Sequence, residues 1–396
     1  MCSGFWGVSS AHAGESVGSI AIIDASIDVR PFIPLLKTKG VRVVGRYFAR
    51  CKQPEISGVG RKRLVDNTAG PSKREVDAIL DAGFGIVSVY QYLNKSPLKF
   101  DGMGQRTFTQ AKYDVPVGAK PETVERTFIL PGDNCAASAA EPNTAEKEGQ
   151  RDAAAAVAQA KAVGQPGGSA IYFGVDFDTT NLSEATWKKM EAYFNTVRAI
   201  LKKSNFRLGV YGDGGTLERL DRLVDFKWLL PSPGFNRVTE FYNEKGASRW
   251  HLFQNLVDAK WTAGTSTIEL DGNVQSAATA GTDVGFWDRK GPYILDKGRT
   301  VDVFEKHRFI CDGSARLYKT AKDDPANLAA PQACKDRFAV SRTVSVGRQS
   351  ADLVEVDCDD DGTFDGWTKS AYLSKSFRDR PPYLRKSSDR AKQVCK

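Results

Sequence analysis

The chain has 396 residues, of which 41% are hydrophobic and 26% charged. This length allows about two to three domains, counting a barrel of ~250 residues as one. The composition excludes a wholly disordered chain, and no run approaches the ~18 apolar residues of a transmembrane helix. Lysine and arginine outnumber aspartate and glutamate by 56 to 48, a net charge of +8, and only three histidines are present. So few histidines exclude His-rich metal clusters and argue against a His-based triad.

In chain order, residues 1–18 read as a signal remnant or disordered lead, with Ala11-His12-Ala13 matching an A-x-A-like cleavage site. Gly14-Glu15-Ser16-Val17-Gly18 matches the nucleophile-elbow pattern but precedes the first strand, so it is read as chance. Residues 19–275 alternate between strand-like and helix-like segments. Strands are expected at Ser19–Ser26, Val41–Phe48, Gly85–Tyr92, Ser169–Phe177, Phe206–Gly212, Phe226–Pro231, Arg249–Asn255 and Thr267–Asn273. Helices are expected at Lys73–Ala82, Glu146–Val163, Leu182–Lys203 and Thr216–Leu223. Eight strands alternating with helices suggest an α/β fold, an irregular (β/α)8 TIM-like barrel, with a doubly wound open sheet as the rival. Leu256–Ser266 leaves little room for a helix, so the barrel should end irregularly.

Long insertions follow the second and third strands and carry Cys51 and Cys135, which makes a disulfide between them geometrically plausible. Residues 276–300 read as a linker, 301–375 as a small disulfide-rich β module, and 376–396 as a basic tail. Leu353-Val354-Glu355-Val356, an acidic turn, Gly366-Trp367-Thr368 and Ala371-Tyr372-Leu373 together resemble a bacterial SH3-like domain. Loss of Cys2 with a leader would leave six cysteines, an even number that favours export to an oxidising space. Four of them, Cys311, Cys334, Cys358 and Cys395, would pair within the module. Asp357, Asp359, Asp361 and Asp365 match ligand positions of a calcium loop, but the last position is Thr368. A solvated acidic turn and weak calcium binding both remain open, and no other cofactor is expected. From Lys375 onward there are 8 basic and 2 acidic residues, suited to an anionic wall or envelope surface. Without aromatic–basic interleaving, nucleic acid is not expected as a partner.

The acidic residues Asp24, Asp176, Asp178 and Asp271 fall at the ends of expected strands. Alternation along the fourth strand puts Asp176 and Asp178 on one face, aimed at the barrel mouth. Clustered carboxylates raise one another's pKa, so one can donate a proton while an ionised neighbour stabilises positive charge on a sugar ring. Asp residues at strand ends also cap loops, so these positions do not by themselves establish catalysis. Tyr47, Tyr92, Tyr211 and Trp228 could stack on sugars, or fill the core. Arg46 could orient Asp24 or bind an anionic sugar, while Gln91 and Gln254 could bind hydroxyl or N-acetyl groups.

The blocks Ile22-Ile23-Asp24, Gly45-Arg46-Tyr47, Val89-Tyr90-Gln91, Ile171-Tyr172-Phe173-Gly174-Val175-Asp176, Gly209-Val210-Tyr211-Gly212, Trp228-Leu229, Leu252-Phe253-Gln254 and Asp271-Gly272-Asn273 run through the chain in this order. In them the chain resembles a glycoside hydrolase-like family of bacterial secreted proteins, related to the Chalaropsis-type (family 25) lysozymes. The resemblance implies an irregular barrel, a cell-wall glycan such as peptidoglycan as substrate, and a secreted, periplasmic or wall-associated location. It also implies catalytic roles for Asp24, Asp176, Asp178 and Asp271. Those lysozymes carry Asp-x-Glu on the fourth strand, with Glu as proton donor; Asp178 stands in its place here. A donor one methylene shorter could sit ~1 Å out of reach and cost on the order of a hundredfold. Hydrolysis and non-catalytic wall-glycan binding are therefore both carried forward.

Overall fold

The computed structural model describes residues 21–49, 64, 74–91, 97–101, 108–109, 125–126, 144–232, 235–243, 249–295, 307–310, 343–350, 353–357, 364, 366–369 and 373–374. Eight strands form at the places the hydrophobic runs mark: β1 (Ile22–Asp24), β2 (Val43–Phe48), β3 (Gly85–Tyr90), β4 (Ala170–Gly174), β5 (Arg207–Gly212), β6 (Phe226–Leu229), β7 (Leu252–Ala263) and β8 (Ser266–Gln275). Neighbours from β1 to β7 pair in parallel, and β3 also pairs with β4. The final strand β8 runs antiparallel to both β7 and β1, and so closes the barrel. A doubly wound open sheet is excluded by that closure.

Helices α1 (Ile33–Thr38), α2 (Glu75–Asp81), α3 (Ala145–Val163), α4 (Glu184–Lys203), α5 (Gly214–Arg219) and α6 (Val238–Asn243) accompany the strands. Helix α3 starts where Thr144 accepts the Lys147 N–H and ends at Gly164, whose φ of 78° suits a left-handed cap. Helix α4 starts at the Ser183 cap and ends with Lys202 and Lys203 at its negative pole. It buries Met190, Tyr193, Phe194, Val197 and Leu201, while Trp187, which the spacing puts on the same face, is only half-buried against the core. The two helices cross closely at Gly149, where a Cβ would lie 2.6 Å from the Tyr193 carbonyl oxygen.

A buried polar network ties the start of the third-strand insertion to these helices. Lys99 Nζ lies 3.0 Å from Asp152 Oδ2. The Tyr90 and Tyr193 hydroxyls donate to the same carboxylate at 2.7 Å each.

Residues 276–295 correct the expected linker. Val284, Phe286, Trp287 and Leu295 are buried with the barrel core. Trp287 begins strand β9 (Trp287–Asp288), which pairs with β3 and with β10 (Gly291–Pro292), and its indole N–H donates to Ser88 at 3.0 Å. Further on, β11 (His307–Ile310), β12 (Thr343–Ser350), β13 (Leu353–Asp357), β14 (Gly366–Lys369) and β15 (Leu373–Ser374) form a separate antiparallel sheet in the order β14-β13-β12-β11-β15. No helix among the described residues is long and apolar enough to cross a membrane.

Candidate functional site

The strand register brings the acids together. Asp24 ends β1 and sits opposite Gly45 on one side and Asp271 on the other. Gly45 is required by this closeness, because a Cβ there would lie 2.5 Å from the Asp24 Cβ. Asp24 is buried, accepting from the Tyr47 hydroxyl on one oxygen and from Asn273 Nδ2 at 2.9 Å on the other. The Asn273 carbonyl in turn accepts the Trp228 indole N–H at 3.0 Å. These contacts fix the Asp24 carboxylate from two sides.

Tyr211, on β5, marks the centre of the cluster. Its hydroxyl donates to Gln254 Oε1 at 2.6 Å. Burial pushes its phenol well above the usual range, and the charges of Asp176, Asp271 and Asp24 push it further, with Tyr47 adding to them. The charges of carboxylates on β1, just past β4 and on β8 thus all act on this one phenol. Asp176 and Asp271 are half-buried, which leaves them more open to a ligand than Asp24. Asp271 Oδ1 accepts the Asp258 backbone N–H at 2.7 Å.

With this arrangement in view, the family comparison is decisive: the model of the Rv2525c-like, glycoside hydrolase-like domain matches residues 35–288. The chain belongs to that family. Two crystal structures of the Mycobacterium tuberculosis Tat-secreted protein Rv2525c, with L-tartrate and with HEPES, are 17% and 18% identical to it at a TM-score of 0.40. A structure of an uncharacterized B. stearothermophilus protein is 14% identical at a TM-score of 0.35. Each alignment covers 64% of this chain and 94% of the other. No curated protein matches the chain.

Within this glycoside hydrolase-like barrel, several expected site residues lie elsewhere than the sequence suggests. Asp178 is exposed and does not share a pleat with Asp176, because β4 ends at Gly174 and the chain bends at Phe177. Its Oδ1 accepts from the Thr180 N–H at 2.9 Å, the Thr180 hydroxyl at 2.5 Å and the Asn236 N–H at 3.1 Å. That is the loop-capping role that Asp residues at strand ends often take.

Arg46 is fully buried, and it points to the helix layer. Its Nε and Nη2 donate to Glu75 of α2 at 2.8 and 3.0 Å, and Nη1 donates to the Ala25 carbonyl. In this position the guanidinium cannot touch a ligand in the mouth. Trp228 is 2% exposed, with Tyr172 and Tyr211 set edge-on at 5.6 and 5.5 Å, so it is a wall of the core and not a stacking platform. Gln91, just past β3, and Gln254, the third residue of β7, are buried, as are Tyr47 and Tyr211.

Asn273 is the functional-site neighbour that the sequence reading missed; its spacing of two from Asp271 was the available signal. Tyr92, Asp359, Asp361, Asp365 and all seven cysteines lie outside the described residues, as do the Asp357 side chain and the tail. Among the described residues, no group of three or more His, Cys, Asp or Glu is placed to hold a metal ion.

Proposed function

We propose that the chain is an exported, wall-associated protein that binds a cell-wall glycan such as peptidoglycan on a hydrolase-like barrel, without efficient cleavage. One observation carries this choice over hydrolysis. Asp178 takes the place of the lysozyme-like proton donor, and its Oδ1 already accepts from Thr180 and Asn236. A general acid must reach the leaving oxygen within about 2.6–3.2 Å, and three hydrogen bonds onto Oδ1 turn the Asp178 carboxylate toward its own loop instead. The mouth remains suited to a sugar, with half-buried Asp176 and Asp271 and a ring of tyrosine hydroxyls and amides behind them. Export is supported by Rv2525c, a Tat-secreted protein. The basic tail would add attraction to anionic wall polymer, and the small C-terminal sheet would serve as an SH3-like wall-binding module, with weak calcium binding at its acidic turn as a further option.

Asp176, half-buried two residues past the end of β4 and open to a ligand, favours a second reading, in which it is the acid of a working hydrolase. Incubation with peptidoglycan, with pull-down, reducing-end and mass-spectrometric readouts, separates the two. Binding without new reducing ends is expected. Turnover that Asp176→Asn abolishes and Asp178→Asn tolerates would establish the second reading. Turnover abolished by Asp178→Asn would restore the lysozyme-like acid and overturn the proposal.

A further inference from the structure

Outside the mouth, on the same end of the barrel, α4, α5 and the loop before α6 line an open groove of about 480 Å³. Its volume falls within the usual range of small-ligand sites. Trp187, in the first turn of α4, lines one side. Asn236 and Arg237, from the loop after β6, line the other.

The groove is built, not incidental. Arg237 holds a left-handed φ of 54°. Its carbonyl oxygen lies 2.2 Å from where a Cβ on Gly214 would be, and Asn236 Nδ2 lies 2.1 Å from the corresponding point on Gly215. The two glycines therefore let the loop press directly onto the start of α5. Non-glycine residues in this backbone region cost of order 1–3 kcal/mol and persist where their surroundings fix them, often at ligand sites.

The chemistry of the lining suits a sugar. Trp187 is half-buried against the core, with the Arg219 guanidinium over its ring at 5.9 Å. Arg219 is itself held by Glu184 and Glu191 at 2.5 Å each, and Arg237 is held by Glu218. Two carboxylates, Glu191 and Glu218, and two guanidiniums, Arg219 and Arg237, line the groove, so their formal charges cancel. Cancelled charge disfavours a phosphate or a charged peptide, while donors and acceptors beside an aromatic ring match a neutral, hydroxyl-rich ring. The groove also lies close to the mouth along the chain: the Asn236 N–H donates at 3.1 Å to Asp178, two residues after Asp176.

We propose that this groove is a second sugar subsite, taking the continuation of a neutral glycan chain whose other end lies in the mouth. The proposal rests on the glycan-binding reading above. Calorimetry against a disaccharide and a hexasaccharide of β-linked N-acetylglucosamine tests both separately. The native protein should bind the hexasaccharide more tightly. Trp187→Ala should weaken hexasaccharide binding roughly tenfold, the scale of one lost aromatic contact of about 1.4 kcal/mol, and leave the disaccharide unchanged. Trp187→Phe, which keeps a ring, should retain most of the affinity. Should Trp187→Ala fail to fold, Arg237→Gln decides, with a several-fold loss expected for the hexasaccharide alone. Equal affinity of the native protein for both lengths, or hexasaccharide binding unmoved by these changes, overturns the subsite while the mouth stands. Absence of binding at either length overturns the glycan reading and this proposal with it.

Discussion

The Arg46–Glu75 pair allows a sharp test of which basic group belongs to the fold and which to the cleft. Both side chains are wholly buried, and Glu75 also accepts the Val29 N–H at 2.9 Å. Glu75→Gln would leave the guanidinium in the interior without its carboxylate, which typically costs about 3–5 kcal/mol. Arg46 also lies near enough to Asp28 to influence its carboxyl, so the lower end of that range is expected. For a barrel of this size, each kcal/mol moves the melting temperature by roughly 2–4 °C, so the drop should be near 10 °C. The double change Arg46→Met with Glu75→Gln removes both charges, and the glutamine carbonyl can still accept from Val29. It should recover most of the loss, since well-packed apolar replacements of buried ion pairs are often neutral. Thermal and urea melts measure the stability, and oligosaccharide binding is followed in parallel. If Arg46→Met melts like the native protein but no longer binds glycan, the guanidinium serves the cleft and the structural assignment is wrong.

Two further expectations follow from buried groups. Burial pushes the His251 imidazole down to about 4 from its ordinary 6.5, with Lys227 adding to the effect and Asp221 opposing it. The unfolded chain therefore takes up a proton that the folded one refuses between these values. Stability should fall by about 3 kcal/mol as pH drops through that window and level off below it. His251→Gln should flatten the profile, and a native melting temperature insensitive to pH across the window would refute the argument. At the mouth, Gly45→Ala would force a Cβ to within 2.5 Å of the Asp24 Cβ. It should cost about 1–3 kcal/mol of stability and weaken glycan binding by displacing Asp24 from Tyr47 and Asn273, both measurable by melting and calorimetry.

The eight barrel strands and the long helices were legible because each carries a strong local signal: apolar runs for the buried parallel strands, and helical spacing for the Met190–Leu201 face. Helices α1 and α6, six residues each, are too short to show a period and were not expected. The site was legible only where alternation holds. Arg46 and Tyr47 are adjacent on β2 and must face opposite ways, so both could not line the mouth; Tyr47 reaches Asp24 and Arg46 reaches Glu75. What the sequence did not reveal was a carboxylate on α2, 29 residues away, that makes a buried arginine tolerable. Alternation was also carried four residues past the end of β4 to Asp178, where no ladder holds the pleat. Residues 276–300 read as a linker in sequence because two-residue strands such as β9 have no period, although Trp287 is fully buried.

Asp271 reaches the neighbourhood of Asp24 by a route other than the end of a parallel strand. It was expected at the mouth as the end of a strand, yet it is followed by four more strand residues, to Gln275. In a parallel strand, that position would put it below the rim. Because β8 is antiparallel, its middle passes the C-terminal end of β1, and Asp271 falls opposite Asp24. The ladder with β7 then slips: Leu270 pairs with Ala259 but Gly272 with Leu256, leaving Val257 and Asp258 opposite the single residue Asp271. Asp258 takes a φ of 55° and turns its N–H onto the Asp271 carboxylate. Bulges of this kind re-aim a side chain and bend the strand that carries it. The irregular closing hairpin, foreseen only as a lack of room for a helix, is therefore what delivers the third carboxylate to Tyr211.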